Sequence, residues 1–430
     1  MIIKKMTESF TNKFRRIIEP EHYKFFLIPR AKFRQFLHIR RIRKAGHIKV
    51  AFLLSSLPMW RLQKLFERFR SDSRFKITVA LFPFSSFAEA QKKEAVAALR
   101  TYFINLGIEP LDLSHQIHPG KVLRRDIDPD IIFYQQPYNH LYWNDLDCPY
   151  FSKRLTCYIP YGMLLVRERW TDKNLLNETA WRLFYPSEER KRQAAKVLYN
   201  RGHNICVTGD PLVDLFRTPS SGNAWKAQAS PKKKIIWAPH FSIQGEGLLN
   251  QDSFIWLYEV MLRLASKYQD RVQFSFKPHP RLLSILYELP EWGKERADAY
   301  YQTWNERENT QLDTGSYIDL FKESDAMIHD SFSFIAEYHL SGKPALFTTK
   351  KLPEVLNKMN AFGRDALNTH YIGDSESKIV EFIEHTVLEG IDPQKKEREA
   401  FYQKYLLPPN GGSASENIYN EIINGLGFKS

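Results

Sequence analysis

Cysteine is scarce in this sequence: Cys148, Cys157 and Cys206 are the only three in 430 residues, and they are scattered. That is too few for a disulfide framework, and their spacing fits no zinc site, so the chain suits a reducing compartment. Long apolar runs are missing too. No stretch approaches the ~18 consecutive apolar residues of a spanning helix, and no apolar core follows the first lysines. Neither a transmembrane helix nor a secretory signal is therefore expected. The sequence has no glycine-rich phosphate loop and no G-x-G-x-x-G fingerprint, which disfavours an NTPase or a nicotinamide dehydrogenase. No His/Cys/Asp cluster has metal-ligand spacing, so no metal or other cofactor is expected. What is present is core material. Apolar residues make up 43% and aromatics 14% of a chain long enough for two or three domains, which excludes a disordered or collagen-like protein.

The net charge of +13 is unevenly placed. Residues 1–47 hold thirteen Lys or Arg against three acids, a net +10, and the remaining 383 residues carry +3. Phe10, Phe14, Ile17 and Ile18, then Phe33, Phe36 and Leu37, recur at three- and four-residue spacings among these cations, with Pro20 and Pro29 dividing the stretch. The pattern gathers apolar groups on one helical face. It reads as a peripheral anchor to an anionic membrane surface, or as an extension packing that face on the protein body. Nucleic-acid binding through phosphates is a weaker reading, because no nucleic-acid motif follows.

From residue 48 short β-rich runs alternate with helical stretches: strands at 48–54, 76–82, 130–135, 155–159, 182–185 and 205–208, with helices near 58–69 and 86–106. A Ser/Pro/Gly/Lys-rich run at 218–233 reads as a linker. The alternation then restarts, with strands at 234–238, 272–277, 326–329 and 345–348, and helices at 251–268, 333–340 and 413–426. This implies an α/β chain of four parts. They are a basic segment 1–47, a Rossmann-like parallel-sheet domain 48–217, the linker 218–233, and a second Rossmann-like domain 234–430 with a closing helix. Two such domains facing a cleft place ligands outside the carboxyl ends of the strands.

Three strand ends of the second domain carry polar groups: Ala238-Pro239-His240, Lys277-Pro278-His279-Pro280-Arg281, and His329-Asp330-Ser331-Phe332-Ser333 opening a helix through Glu337. Free amides at a helix start, with the hydroxyls of Ser331 and Ser333, suit an anion. Imidazoles at His240 and His279 suit proton transfer or phosphate hydrogen bonding. Glu337 is placed to accept from a ribose. Taken singly, each has a plain structural reading as a helix cap, a surface histidine or a solvated acid; the conjunction at three strand ends argues for a site. In the first domain Tyr161-Gly162 follows a strand, with Gly162 allowing a tight turn that aims Tyr161 into the cleft.

The set WAPH at 237–240, KPHP at 277–280, DLFKESDAMIHDSFSFIAEYHLSGKPALF at 319–347 and GGSASENI at 411–418 resembles the CDP-glycerol glycerophosphotransferases of teichoic-acid and capsule synthesis, over roughly residues 232–426. The resemblance implies a GT-B fold with a C-terminal helix crossing back. It also implies metal-independent transfer of a polyol phosphate from a CDP-linked donor to a hydroxyl of a lipid-linked or glycan acceptor, at the cytoplasmic face of the membrane. His279, with Ser331 and Ser333, would then hold the donor pyrophosphate and Glu337 the ribose, with Lys277, Arg281 and Asp330 beside the phosphates. Two motifs depart from the family. Its first-domain histidine-glycine pair is matched by Tyr161-Gly162, and its Thr-Trp-Arg after Ala-Pro by His240-Phe241-Ser242, which makes His240 the substitute candidate for the base. A nucleotide-sugar glycosyltransferase of the same fold, and a non-enzymatic module binding membrane or nucleic acid through residues 1–47, stay open as alternatives.

Overall fold

A computed structural model describes residues 26–83, 89–136, 153–166, 174–243 and 253–428. Phe10, Phe14, Ile17, Ile18, Pro20, Cys148 and the expected helix starts at 86 and 251 lie outside them. The chain divides into two compact units. The first takes the described residues of Met1–Tyr161, Glu168–Asp214 and Pro408–Ser430, and the second those of Gly162–Arg167 and Leu215–Leu407.

The first unit is built on a seven-stranded parallel sheet. Its strands are β1 (Ile48–Leu54), β2 (Phe75–Leu81), β3 (Leu111–Asp112), β4 (Ile131–Tyr134), β5 (Leu155–Tyr158), β6 (Arg182–Tyr185) and β7 (Ile205–Val207), in the order β3-β2-β1-β4-β5-β6-β7. These runs are apolar on both faces because helices cover both sides of a parallel sheet. Phe52 of β1 stacks on Phe133 of β4 at 4.7 Å, and Trp60, Phe66, Phe69 and Phe103 pack edge-on around them.

The helix Ala414–Leu426, which the sequence places at the end of the second domain, belongs to this first unit. Ser413 caps it by accepting from the Glu416 amide (3.2 Å), and the Asp214 carboxylate takes the Ala414 and Ser415 amides (3.0 and 2.7 Å). A cap is worth about 1 kcal/mol. Ile418, Ile422, Ile423 and Leu426, all fully buried in the core, are each worth about 1.5–3 kcal/mol, so the apolar face dominates. Gly209 shows why the chain bends as it does before its return: its φ is +88°, and a side chain there would meet Pro408 at 2.7 Å.

The N-terminal helix Ile28–Ile42 packs one face on the body of the first unit, as the second reading of the basic segment expects. Ile28, Ala31, Gln35, His38 and Ile42 form its buried face, and Gln35 Nε2 donates to Thr179 O at 2.8 Å. Phe33, Phe36 and Leu37 remain exposed on the other.

The second unit has six parallel strands: β8 (Lys233–Ala238), β9 (Val272–Phe276), β10 (Thr310–Leu312), β11 (Ala326–His329), β12 (Ala345–Thr348) and β13 (Tyr371–Gly373), in the order β10-β9-β8-β11-β12-β13. Trp237 stacks on Phe276 at 4.9 Å and packs against Trp304 at 5.3 Å, anchoring one face. Residues 218–232 carry no helix or strand, as their composition implies, yet they belong to this unit. Buried Trp225 donates to Leu320 O (3.3 Å), and the Lys226 amide donates to Gln311 (2.6 Å). Residues 163–166 also belong here. Asn360 Nδ2 donates to Leu164 O (2.8 Å), and any side chain at Gly363 would strike Leu165 O at 2.4 Å.

Candidate functional site

In the second sheet the strand order reverses between β8 and β11, the place where open α/β sheets hold ligands outside their carboxyl ends. Three strands end there on the residues singled out from the sequence. The β8–β9 ladder runs past the strands proper, because the Lys277 amide donates to Trp237 O (2.8 Å) and the His279 amide to Pro239 O (3.0 Å). Pro239 and Pro278 lack the amides needed to carry the ladder further. This register sets His240 and His279 side by side, with ring centroids 4.8 Å apart and planes at 68°.

Phe241 binds the cluster together. It lies 4.2 Å from the His240 ring and 4.5 Å from that of His279, and the Arg281 guanidinium sits over it at 4.3 Å. His240 Nδ1 is 2.5 Å from the hydroxyl of buried Ser242. His279 Nδ1 accepts from the Arg281 amide at 3.1 Å, so the proton of a neutral ring lies on Nε2. Burial, aided by His279 and Arg281, pushes His240 down to about 3. Burial and Arg281 push His279 down to about 4. At neutral pH both rings are therefore neutral in the free protein.

The third strand end joins through Asp330, whose Oδ1 accepts the His240 backbone amide at 2.6 Å. Asp330 is buried, and a buried carboxylate repels phosphate, so this contact makes it a positioning group for the β8 turn. Its neighbour His329 is fully buried and donates Nδ1–H to Ser331 O (3.1 Å), which fixes the same turn. Behind it lie His370 at 5.4 Å and His339, 5.1 Å from His370. His370 donates Nδ1–H to Ala366 O, and His339 bonds Thr369. Burial pushes all three rings down, His370 to about 4.

The remaining candidates are spread more widely. Lys277 is buried, its ammonium held by Asp313 (2.8 Å) and Gly315 O (2.7 Å), and burial lowers its pKa despite that carboxylate. It is thus engaged internally rather than presented to an anion. Glu337 is 1% exposed and accepts from the Tyr317 hydroxyl at 2.8 Å. Ser331 is buried, whereas Ser333 is exposed with helical φ and ψ of −61° and −36° and no side-chain capping bond. The helix it precedes, Phe334–Glu337, is a single turn continued as 3₁₀ over Tyr338–Ser341. Tyr161 lies in the first unit, and the unit boundary falls between it and Gly162. Gly162 has no left-handed φ, so the expected glycine-dependent turn does not form.

Sequence reasoning missed Asp313 and Tyr317, the partners of Lys277 and Glu337. They follow β10, whose three residues give no periodic signal; the Asp313-Thr314-Gly315-Ser316 run was the available turn cue. The two described cysteines, Cys157 and Cys206, take no part. Burial pushes the Cys206 thiol up to about 12 and raises that of Cys157 as well. Among the described residues no group of three or more His, Cys, Asp or Glu is arranged to hold a metal ion.

No protein-family model matches the chain, and no curated protein sequence does. Solved structures do. A variant of the wall teichoic acid polymerase TagF is 12% identical, with 97% of this chain and 98% of that one covered and a TM-score of 0.58. The UDP-GlcNAc 2-epimerase of Neisseria meningitidis bound to UDP-GlcNAc is 16% identical over 88% of this chain and 100% of its own, with a TM-score of 0.53. MnaA of S. aureus with UDP is 14% identical over 89% and 98%, with a TM-score of 0.56. At such identities the likeness is one of fold, and the fold is GT-B-like: two Rossmann-like parallel-sheet units.

Proposed function

We propose that the chain is a transferase using a nucleotide-activated donor, and that the donor is a CDP-polyol such as CDP-glycerol. The observation carrying this reading is the convergence of His240, His279 and Arg281 with the Asp330-Ser331 turn at the reversal point of the second sheet. An acceptor hydroxyl attacks the phosphorus bearing the polyol. Its oxygen forms the new P–O bond, the bond to the bridging oxygen breaks, CMP leaves, and the hydroxyl proton passes to a base. Arg281 and the Nε2–H of His279 stabilise charge on the phosphoryl oxygens, and positioning supplies the rest.

His240 is our candidate base. A ring held near 3 is a weak base in the free protein, but a bound pyrophosphate places two negative charges beside it and raises its pKa toward the useful range. Asp330 positions His240, Ser331 offers its hydroxyl to the donor, and Glu337 stands behind the ribose through Tyr317. The likeness in fold to TagF supports a polyol-phosphate donor and a glycan or lipid-linked acceptor. The likeness to structures holding UDP-GlcNAc or UDP supports a second reading, a glycosyltransferase attacking a sugar's anomeric carbon. Incubation with CDP-glycerol or CDP-ribitol, with and without a glycan acceptor, is expected to release CMP. Stabilisation by UDP-sugars alone in a thermal-shift panel would select the second reading, and no response to any nucleotide-linked compound would reject both.

A further inference from the structure

Outside that site, the N-terminal helix Ile28–Ile42 leaves a large surface without a protein neighbour among the described residues. Seven large apolar side chains are conspicuously exposed in the described chain, and four of them, Phe26, Phe33, Phe36 and Leu37, fall in one twelve-residue window. Singly exposed apolar residues are ordinary; a contiguous group marks a contact surface. The helix carries five Lys or Arg and no carboxylate. At 100° per residue Phe33, Leu37 and Phe36 form the outward face together with Arg40, with Arg30 beside them and Arg41, paired to Asp130 at 3.3 Å, at the edge. An exposed face that carries apolar and cationic side chains and no carboxylate complements an anionic bilayer interface.

A pocket of about 270 Å³ opens beside this face, within the first unit. Ile39 and Trp181 give its lining an apolar part, and Phe36 belongs both to the pocket and to the exposed face. The lining also includes Lys32, Arg182 and His203. Arg182 Nε is buried without a hydrogen-bond partner. The one carboxylate in the lining, Glu178, accepts from the Tyr199 and Asn200 amides (2.8 and 3.0 Å), turned to its own backbone.

We propose that this pocket binds the phosphate headgroup of a membrane lipid while the outward face of the helix lies in the bilayer interface. The cations and the imidazole take the phosphate oxygens, and the apolar part of the lining continues into the inserted face, where the lipid's chains emerge. The inference goes beyond the transfer reaction and uses no residue of the second unit.

Vesicle flotation of the full chain tests it without any nucleotide, so its failure is separate from failure of the transferase reading. Three compositions serve: phosphatidylcholine alone, with phosphatidylglycerol, or with phosphatidic acid at matched charge. Binding is expected to be weak to the first, stronger to the second and strongest to the third. Phe33→Ser with Leu37→Ser lowers binding to both anionic vesicles by about tenfold or more. Arg40→Gln, outside the pocket, lowers both about equally, by roughly fivefold. Arg182→Gln, and separately the exposed pair Lys32→Gln with His203→Gln, abolish the preference for phosphatidic acid over phosphatidylglycerol. The second pair keeps the test valid if Arg182→Gln does not fold. No preference in the wild type, or a preference surviving both pocket variants, overturns the proposal. So does stabilisation by millimolar inorganic phosphate without vesicle binding, which would make the site one for a free anion. Unchanged binding by the Phe33/Leu37 variant gives the face to another occupant and also overturns it.

Discussion

The two units share a plan, a parallel sheet whose order reverses beside its first strand, but they fill the reversal point differently. In the first unit β1 and β4 lead into Ser55, Gln135 and Gln136, all buried and neutral. In the second, β8, β9 and β11 lead into His240, His279 and Asp330, and a further set of buried histidines backs the last of these. The first unit's polar network is of another kind. Asn200 and Asn204 donate to carbonyls of Asn177, Glu178 and Ala180 at 2.9–3.1 Å and satisfy the loop backbone. Amides hold a loop's shape at any pH, whereas imidazoles at strand ends change charge when an anion arrives. The same architecture thus carries neutral amides at one reversal point and imidazoles with a carboxylate at the other.

The strongest way to break this contrast is catalytic. His240→Ala and His279→Ala are each expected to lower turnover of the CDP-linked donor by about 10²–10⁴-fold, with CMP release as the readout and circular dichroism confirming the fold. Tyr161→Phe is expected to cost about tenfold or less, the worth of one hydrogen bond. A larger loss there than at the histidines would move the chemistry to the first unit.

The next effect is on stability. Ile422→Ala removes a fully buried side chain from the first unit's core and should destabilise that unit by about 2–5 kcal/mol. Hydrogen exchange resolved by peptide is expected to show faster exchange in β1 and β2 and little change in β8 and β11.

Acid should separate the units further. A histidine held near 4 in the fold, as His370 is, and near ~6.5 when unfolded binds its proton preferentially in the unfolded chain. Its stabilising balance is complete above about pH 6.5 and is lost as pH falls toward 4, about 2 kcal/mol at pH 5. The second unit should therefore lose more protection than the first between pH 7.5 and 5. Equal losses would show that its histidines are solvated.

The smallest effect concerns binding. Since an anionic donor raises the low pKa of His279, binding takes up protons. Affinity should weaken as pH rises through the raised value, by several-fold between about pH 6 and 8. Calorimetry in buffers of different ionisation enthalpy reads the proton uptake directly, and none would mean that the ring does not contact the phosphates.

The long or fully buried strands were the legible part of the fold. Arg182–Tyr185, Ala326–His329 and Ala345–Thr348 fall where their apolar runs place them. Leu111–Asp112, Thr310–Leu312 and Tyr371–Gly373 were not read, because two or three edge residues cannot express an alternation. The His240–His279 pairing was legible as two strand ends of one sheet. The engagement of Lys277 with Asp313 was not, since it depends on a loop 36 residues away. Residues 218–233 misled as a linker for a related reason: composition reports a lack of regular structure but not what a single tryptophan such as Trp225 fastens it to.

The path of the chain between units also has a consequence for synthesis. Residues 215–407 form nearly all of the second unit as one uninterrupted stretch, so it can close while the polypeptide is still being extended. The first unit begins earlier but cannot. Its core is completed by Ile418, Tyr419 and Ile422, with Tyr419 packed edge-on against Phe69 and Phe75, and those side chains are made only after the whole second unit. The strands of the first unit are therefore made before the second unit and gain their closing helix after it.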